Sequence, residues 1–191
     1  MSKKKAIFLD RDGTIIRHVD LPHRAEDLRL LPGVADAIKT FSKLGFINIV
    51  ISNQPVVARG LINLKEAEAL DRYVIIQLAR RKAVIDAVYR CPHHPKATLK
   101  KYRRRCRCRK PGTGMFIKAI KKFKIDTKQS FMIGDSIIDV VAGCRVGVKT
   151  ILVKTGPGHA RLDKLYNAKP DFFAHSLKEA ASIVRKINRK V

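Results

Sequence analysis

Tryptophan is absent from the 191 residues, and tyrosine occurs only 4 times. With so few aromatic rings, and none interleaved with basic residues, stacking platforms for nucleic-acid bases are not evident. Long apolar runs are missing too. None approaches the ~18 residues that a membrane-spanning helix needs, so no membrane partner is expected. Residues 1–5 include three lysines and lead directly into the first apolar run, with no apolar signal segment, so a cytoplasmic location is expected. Cysteine is limited to 4 residues. Without a secretion signal, so few cysteines argue against a disulfide framework. Acidic residues are scarce: 16 Asp and Glu stand against 41 Lys and Arg, a formal charge of +25.

That charge favours phosphate-bearing partners and supports salt-sensitive, non-specific contact with nucleic acid. Residues 96–110 carry nine Lys or Arg and no acid. The simplest reading is a solvated basic surface; a dedicated nucleic-acid patch is the alternative. The length suits one domain, residues 1–191, with an inserted element at residues 91–111.

Apolar patterning predicts strands at residues 6–9, 46–51, 85–89, 130–133, 150–153 and 171–174. Helices are expected at residues 34–44, 64–83, 114–123, 138–144 and 177–187, the first stopped by Gly45. Cys144, alone on a helix, is expected in the core. Such alternation implies an α/β fold with a parallel sheet covered on both faces.

Three strand ends carry polar groups: Asp10 and Asp12, then Ser52-Asn53-Gln54, then Asp135 with Asp139. Ligands collect beyond the carboxyl ends of parallel strands. If strand geometry continues, Asp10 and Asp12 point to the same side. Two such close carboxylates suit Mg²⁺, with Asp135 adding a further oxygen. The chemistry implied is phosphoryl transfer, with one carboxylate attacking phosphorus and its neighbour handling the leaving-group proton. Ser52 offers a hydroxyl to a phosphoryl oxygen, and Lys110 a compensating positive charge.

In that order, Asp10-Arg11-Asp12-Gly13-Thr14, Ser52-Asn53-Gln54, Lys110 and Gly134-Asp135 with Asp139 resemble the four motifs of the haloacid dehalogenase (HAD) superfamily of phosphatases. Within it, residues 5–156 resemble the D-glycero-D-manno-heptose 1,7-bisphosphate phosphatases, kin of the histidinol-phosphate phosphatases. The resemblance implies a Rossmann-like three-layer fold with a small zinc-stapled loop and no large cap domain. It implies that Asp10 is the nucleophile, Asp12 the general acid and then base, and that Asp10, the Asp12 carbonyl and Asp135 hold Mg²⁺. Ser52 and Lys110 would position the phosphoryl group. Asn53, Gln54, Arg59 and Arg109 would meet the substrate.

Cys91, His93, Cys106 and Cys108 supply three thiolates and one imidazole, a closed set for structural zinc. Their spacing is unlike common zinc fingers, and free thiols in a basic loop are the alternative. The resemblance favours zinc in a lid segment, and His93 over His94. Zinc would then fix the loop that presents Arg109 and Lys110. Three places depart from the family pattern: Pro55-Val56 in the second motif, Ser136 where relatives often carry lysine, and Gly112-Thr113-Gly114 after Pro111.

The activity so implied is removal of the 7-phosphate from heptose bisphosphate, on the route to nucleotide-activated heptose for lipopolysaccharide, by a monomer. Histidinol phosphate or another small phosphomonoester, a nucleic-acid 3′-phosphate, or a non-enzymatic basic zinc-binding module are the alternatives.

Overall fold

The computed structural model describes residues 3–159 and 166–189; the expectation for Met1 and Ser2 lies outside them. Six parallel strands form one sheet in the order β3-β2-β1-β4-β5-β6. They are β1 (Lys5–Leu9), β2 (Phe46–Asn53), β3 (Ala87–Cys91), β4 (Phe131–Gly134), β5 (Lys149–Val153) and β6 (Phe172–Ala174). The order reverses between β1 and β4, where a crevice opens beyond the strand ends and where ligands bind in such sheets.

The helices are α1 (Val34–Lys43), α2 (Pro55–Ala58), α3 (Leu64–Ala79), α4 (Gly114–Phe123), α5 (Ile137–Val146) and α6 (Leu177–Asn188). Local chemistry sets several of their ends. Asn63 and Glu66 form a reciprocal capping box that starts α3, and Ser176 accepts from the Glu179 N–H at the start of α6. Two apolar layers sandwich the sheet. Ile7, Leu9, Ile38, Phe41 and Val184 belong to one, and Phe8, Ile49, Ile51, Phe116 and Met132 to the other. Burial on both faces explains why β1 and β2 read as nearly continuous apolar runs. The exception, Asn48, is fully buried, and its side-chain amide donates to Ser42 Oγ and the Val84 carbonyl. No helix among the described residues is long and apolar enough to cross a membrane.

Some boundaries differ from expectation. The third helix ends at Ala79, not residue 83, because the Arg81, Lys82 and Ala83 N–H groups fold back onto Leu78 and Ala79 carbonyls and Lys82 turns left-handed. The third strand runs to Cys91, since its pairing with β2 continues until Cys91 stands opposite Asn53. Residues 55–58, where no helix is expected, form a helical turn with Pro55 at its first position, where a missing N–H costs no helical bond. Cys144 is exposed rather than in the core, because the buried stretch of α5 ends at Gly143.

Candidate active site

Asp10 follows β1 directly, and its N–H donates to the Ile133 carbonyl of β4, which holds it at the switch point. Asp135 follows β4 in the same way, and Asp139 lies on the first turn of α5, where its carboxylate accepts from the Ser136 N–H. Carboxylate oxygens of Asp10, Asp135 and Asp139 lie within 4.8 Å of one another. Lys110 Nζ sits 2.6 Å from Asp10 Oδ1 and 2.6 Å from Asp139 Oδ1.

Glycine makes this crowding feasible. Gly13 has φ +80°, and a Cβ there would stand 2.6 Å from Asp135 Oδ2. The Gly13 carbonyl also accepts from Thr155 Oγ1, tying the loop after β5 to the first motif.

The electrostatics follow from burial and like charge. Burial, then repulsion from Asp10 and Asp139, pushes the Asp135 carboxyl up to about 8. Burial pushes Asp139 up to about 6, although the Lys110 charge opposes it. Burial alone would lower the Lys110 ammonium, but Asp10 and Asp139 outweigh that and hold its pKa above the usual lysine value. Three carboxylates around one ammonium leave excess negative charge. Their hard oxygen donors fit a cation such as Mg²⁺.

Above them opens a cleft of about 730 Å³, lined among others by Asp10, Asp12, Asn53, Pro55, Arg109, Lys110, Asp135, Ser136 and Asp139. Ser52 is fully buried on β2, and its hydroxyl has no hydrogen-bond partner among the described residues. Such an unsatisfied buried hydroxyl is costly unless something fills its vicinity.

Asn53 grips the lysine's peptide from both sides. Its amide donates to the Lys110 carbonyl at 3.1 Å, and its carbonyl accepts from the Lys110 N–H at 3.0 Å. Asn53 was expected only as a substrate contact; this clamp has no local sequence signal, since 57 residues separate the partners.

Other expected residues sit elsewhere. Gln54 is buried, and its amide donates to Asp71 Oδ1 at 2.9 Å rather than toward the cleft. Arg59 is exposed at the end of α2 and does not line the cleft, because that helical turn carries it outward. Asp12 lines the cleft, but the strand geometry expected to align it with Asp10 stops at Leu9. The chain turns there, with the Arg11 carbonyl accepting from the Ile15 and Ile16 N–H groups, and the Asp12 carboxylate meets the Arg11 guanidinium at 3.0 Å. Burial still raises the Asp12 pKa, against the opposing pull of Arg11.

Beside the cleft, Cys91 Sγ lies 3.7 Å from His93 Nδ1, and ligand atoms of Cys91, His93 and Cys106 fall within 4.8 Å of one another. His94 instead accepts from the Lys96 N–H. Cys108 is outside that trio, though its N–H donates to Cys106 Sγ at 3.4 Å and a Cβ on Gly114 would lie 3.0 Å from its sulfur. Burial pushes the Cys91 thiol up to about 12. At Cys106 burial acts in the same direction, but the Cys108 N–H and neighbouring thiols outweigh it and hold the pKa below the usual thiol value. Soft donors converging around one lowered thiol fit zinc. The glycines at 112 and 114 belong to this turn, where their N–H groups donate to the Arg109 and Arg107 carbonyls.

Comparison with known proteins agrees with this architecture. Residues 107–180 match the model of the HAD-hydrolase-like family. The D-glycero-beta-D-manno-heptose-1,7-bisphosphate 7-phosphatase of Escherichia coli O6:H1 is 40% identical over 152 residues, 79% of this chain and 80% of that protein. The Haemophilus ducreyi enzyme of that name is 37% identical over 175 residues, 88% of this chain and 96% of that one. The crystal structure of D,D-heptose 1,7-bisphosphate phosphatase from B. bronchiseptica, complexed with magnesium and phosphate, superposes with a TM-score of 0.84 at 28% identity, covering 96% of this chain and 99% of that one. Identity of this order across four-fifths of both chains, on a shared fold, makes the chain a phosphatase belonging to the heptose-1,7-bisphosphate 7-phosphatase family of HAD-like hydrolases.

Proposed function

We propose that the chain removes the 7-phosphate of D-glycero-β-D-manno-heptose 1,7-bisphosphate in two stages on Asp10. The observation that carries this reading is the carboxylate–lysine cluster at the β1/β4 crevice, in a chain whose curated relatives bear that activity in their names.

Lys110 occupies Asp10 Oδ1, which leaves Oδ2 as the attacking oxygen. That oxygen forms a bond to phosphorus as the bond from phosphorus to the sugar oxygen breaks. Asp12 gives its proton to the departing alkoxide. Water then attacks the aspartyl-phosphate, Asp12 takes the water's proton, and phosphate leaves with Asp10 restored. Lys110 offsets charge on Asp10 and on the transferred group, and the Ser52 hydroxyl donates to a phosphoryl oxygen.

Asp10, the Asp12 carbonyl and Asp135 would hold Mg²⁺, which when bound neutralises charge on the phosphoryl oxygens. Arg109 lines the cleft and donates to the His93 carbonyl, so it meets the sugar phosphate while tied to the lid. Cys91, His93, Cys106 and Cys108 would hold zinc and fix that lid. This reading has the enzyme acting in the cytoplasm as a monomer, with nucleic acid meeting only its basic surface, non-specifically.

The test is turnover with Mg²⁺ at moderate salt on heptose bisphosphate, histidinol phosphate and a 3′-phosphorylated oligonucleotide. Heptose bisphosphate should give the highest kcat/KM. A higher value on either of the others would overturn the substrate assignment.

A further inference from the structure

A chain of alternating charge runs from the surface of α3 to the cleft, and the phosphatase motifs do not account for it. Glu68 accepts from Arg90 Nη1 at 3.0 Å, and Arg90 Nε donates to Asp71 Oδ2 at 2.7 Å. Asp71 Oδ1 accepts from both Arg11 Nη1 and Gln54 Nε2, each at 2.9 Å. Arg11 then turns its remaining edge on Asp12, donating from Nε to Oδ2 and from Nη2 to Oδ1, each at 3.1 Å.

Arg11, Gln54 and Asp71 are each at most 3% exposed. Placing an aspartate there is expensive unless it is fully hydrogen-bonded, and Asp71 spends both its oxygens orienting other side chains. The planar guanidinium presents donors in a fixed fork, so anchoring one nitrogen fixes the direction of the others. We propose that Asp71 is a positioning residue for proton transfer, locking Arg11 so that Arg11 holds the Asp12 carboxylate at the cleft.

This rests on Asp12 being the proton donor to the leaving group. Because Asp71 touches neither phosphate nor Asp12, losing it should spare substrate binding and harm only the step that needs a placed proton. A sugar alkoxide needs that proton to leave; 4-nitrophenolate does not.

The experiment follows a single turnover of the full chain on heptose bisphosphate and on 4-nitrophenyl phosphate, for Asp12→Asn, Asp71→Asn, Asp71→Glu and Arg11→Lys. It reads the rate of alcohol release and the concentration that half-saturates it, before Asp12 acts on either ester as the base for water. Asp12→Asn should slow alcohol release from the sugar ester by about 10²–10⁴-fold, the range that general acid catalysis supplies, and far less from the nitrophenyl ester. Asp71→Asn should slow alcohol release from the sugar ester by about tenfold or more with the half-saturating concentration nearly constant, and from the nitrophenyl ester by less than about threefold. Asp71→Glu should recover part of that loss. Arg11→Lys keeps the buried charge but not the fork, so it should show the same split, and it carries the test if Asp71→Asn does not fold. Should Asp12→Asn slow both esters equally, the proton-donor reading of Asp12 fails. If Asp12→Asn discriminates while Asp71→Asn, or Arg11→Lys in its place, slows both esters equally or neither, the role of Asp71 is overturned.

Discussion

Replacing Lys110 with methionine removes the ammonium that lies 2.6 Å from both Asp10 and Asp139, with almost no solvent exposure at either Lys110 or Asp139. Breaking a buried ion pair from one side costs about 3–5 kcal/mol, because the remaining charge is left uncompensated. For a chain of this length each kcal/mol shifts Tm by about 2–4 °C, so a fall of about 6–20 °C is expected. The loss must depend on pH. Native Asp135 holds its proton to about pH 8 and Asp139 to about pH 6, whereas the unfolded chain releases both near pH 4. Between those limits the native state binds more protons, so stability falls as pH rises. Lys110→Met raises both carboxyls further and deepens that fall. The deficit against the unaltered protein should therefore be larger at pH 8 than at pH 5, and added Mg²⁺ should reduce it at pH 8. Melting followed by circular dichroism in EDTA or Mg²⁺ reads all of this. An equal deficit at both pH values, or one below about 1 kcal/mol, the worth of an exposed pair, would refute the reasoning.

Asp10→Asn should abolish turnover while the melting curve still reports a folded chain; measurable steady turnover by that variant removes Asp10 as nucleophile. The apparent Mg²⁺ affinity, read from activity titrations, should rise from pH 6 to pH 8 as Asp135, with its pKa at about 8, loses the proton that competes with the cation. A flat or opposite trend would count against Asp135 as a ligand. Cys108→Ser should lower the zinc content found by metal analysis and weaken substrate affinity through Arg109, leaving the Mg²⁺ titration in place. Unchanged zinc content would exclude Cys108 from the set.

Much of the fold was legible because strands buried on both faces write themselves as apolar runs, and helices such as α1, stopped at Gly45, carry their periodicity and end signal locally. The polar strand ends at Asp10, Ser52 and Asp135 were legible for the same reason: each interrupts an apolar run at the point where the sheet ends. What stayed hidden was long-range. Nothing near Asn53 announces that its side chain clamps the peptide of a residue 57 positions away. Asp71 stands at helical spacing with Ala67, Val74 and Leu78 on the buried face of α3, yet nothing near it in the chain names Arg11, Gln54 and Arg90 as its partners. Gln54 itself, inside a recognisable motif, stands one residue past the end of β2 at the start of α2, and its amide donates into that network.

The pairing of Cys91 with Asn53 on one rung of the sheet has a further consequence. The strand that launches the lid and the side chain that grips its return at Lys110 share a single anchor. Residues 92–107 therefore leave and re-enter the scaffold through the same door. Outside the metal candidates His93 and Cys106, their length and composition can change while the ammonium beside Asp10 keeps its place. The segment is a cassette, and exchanging it would retune which phosphate esters are admitted without rebuilding the machinery that cleaves them.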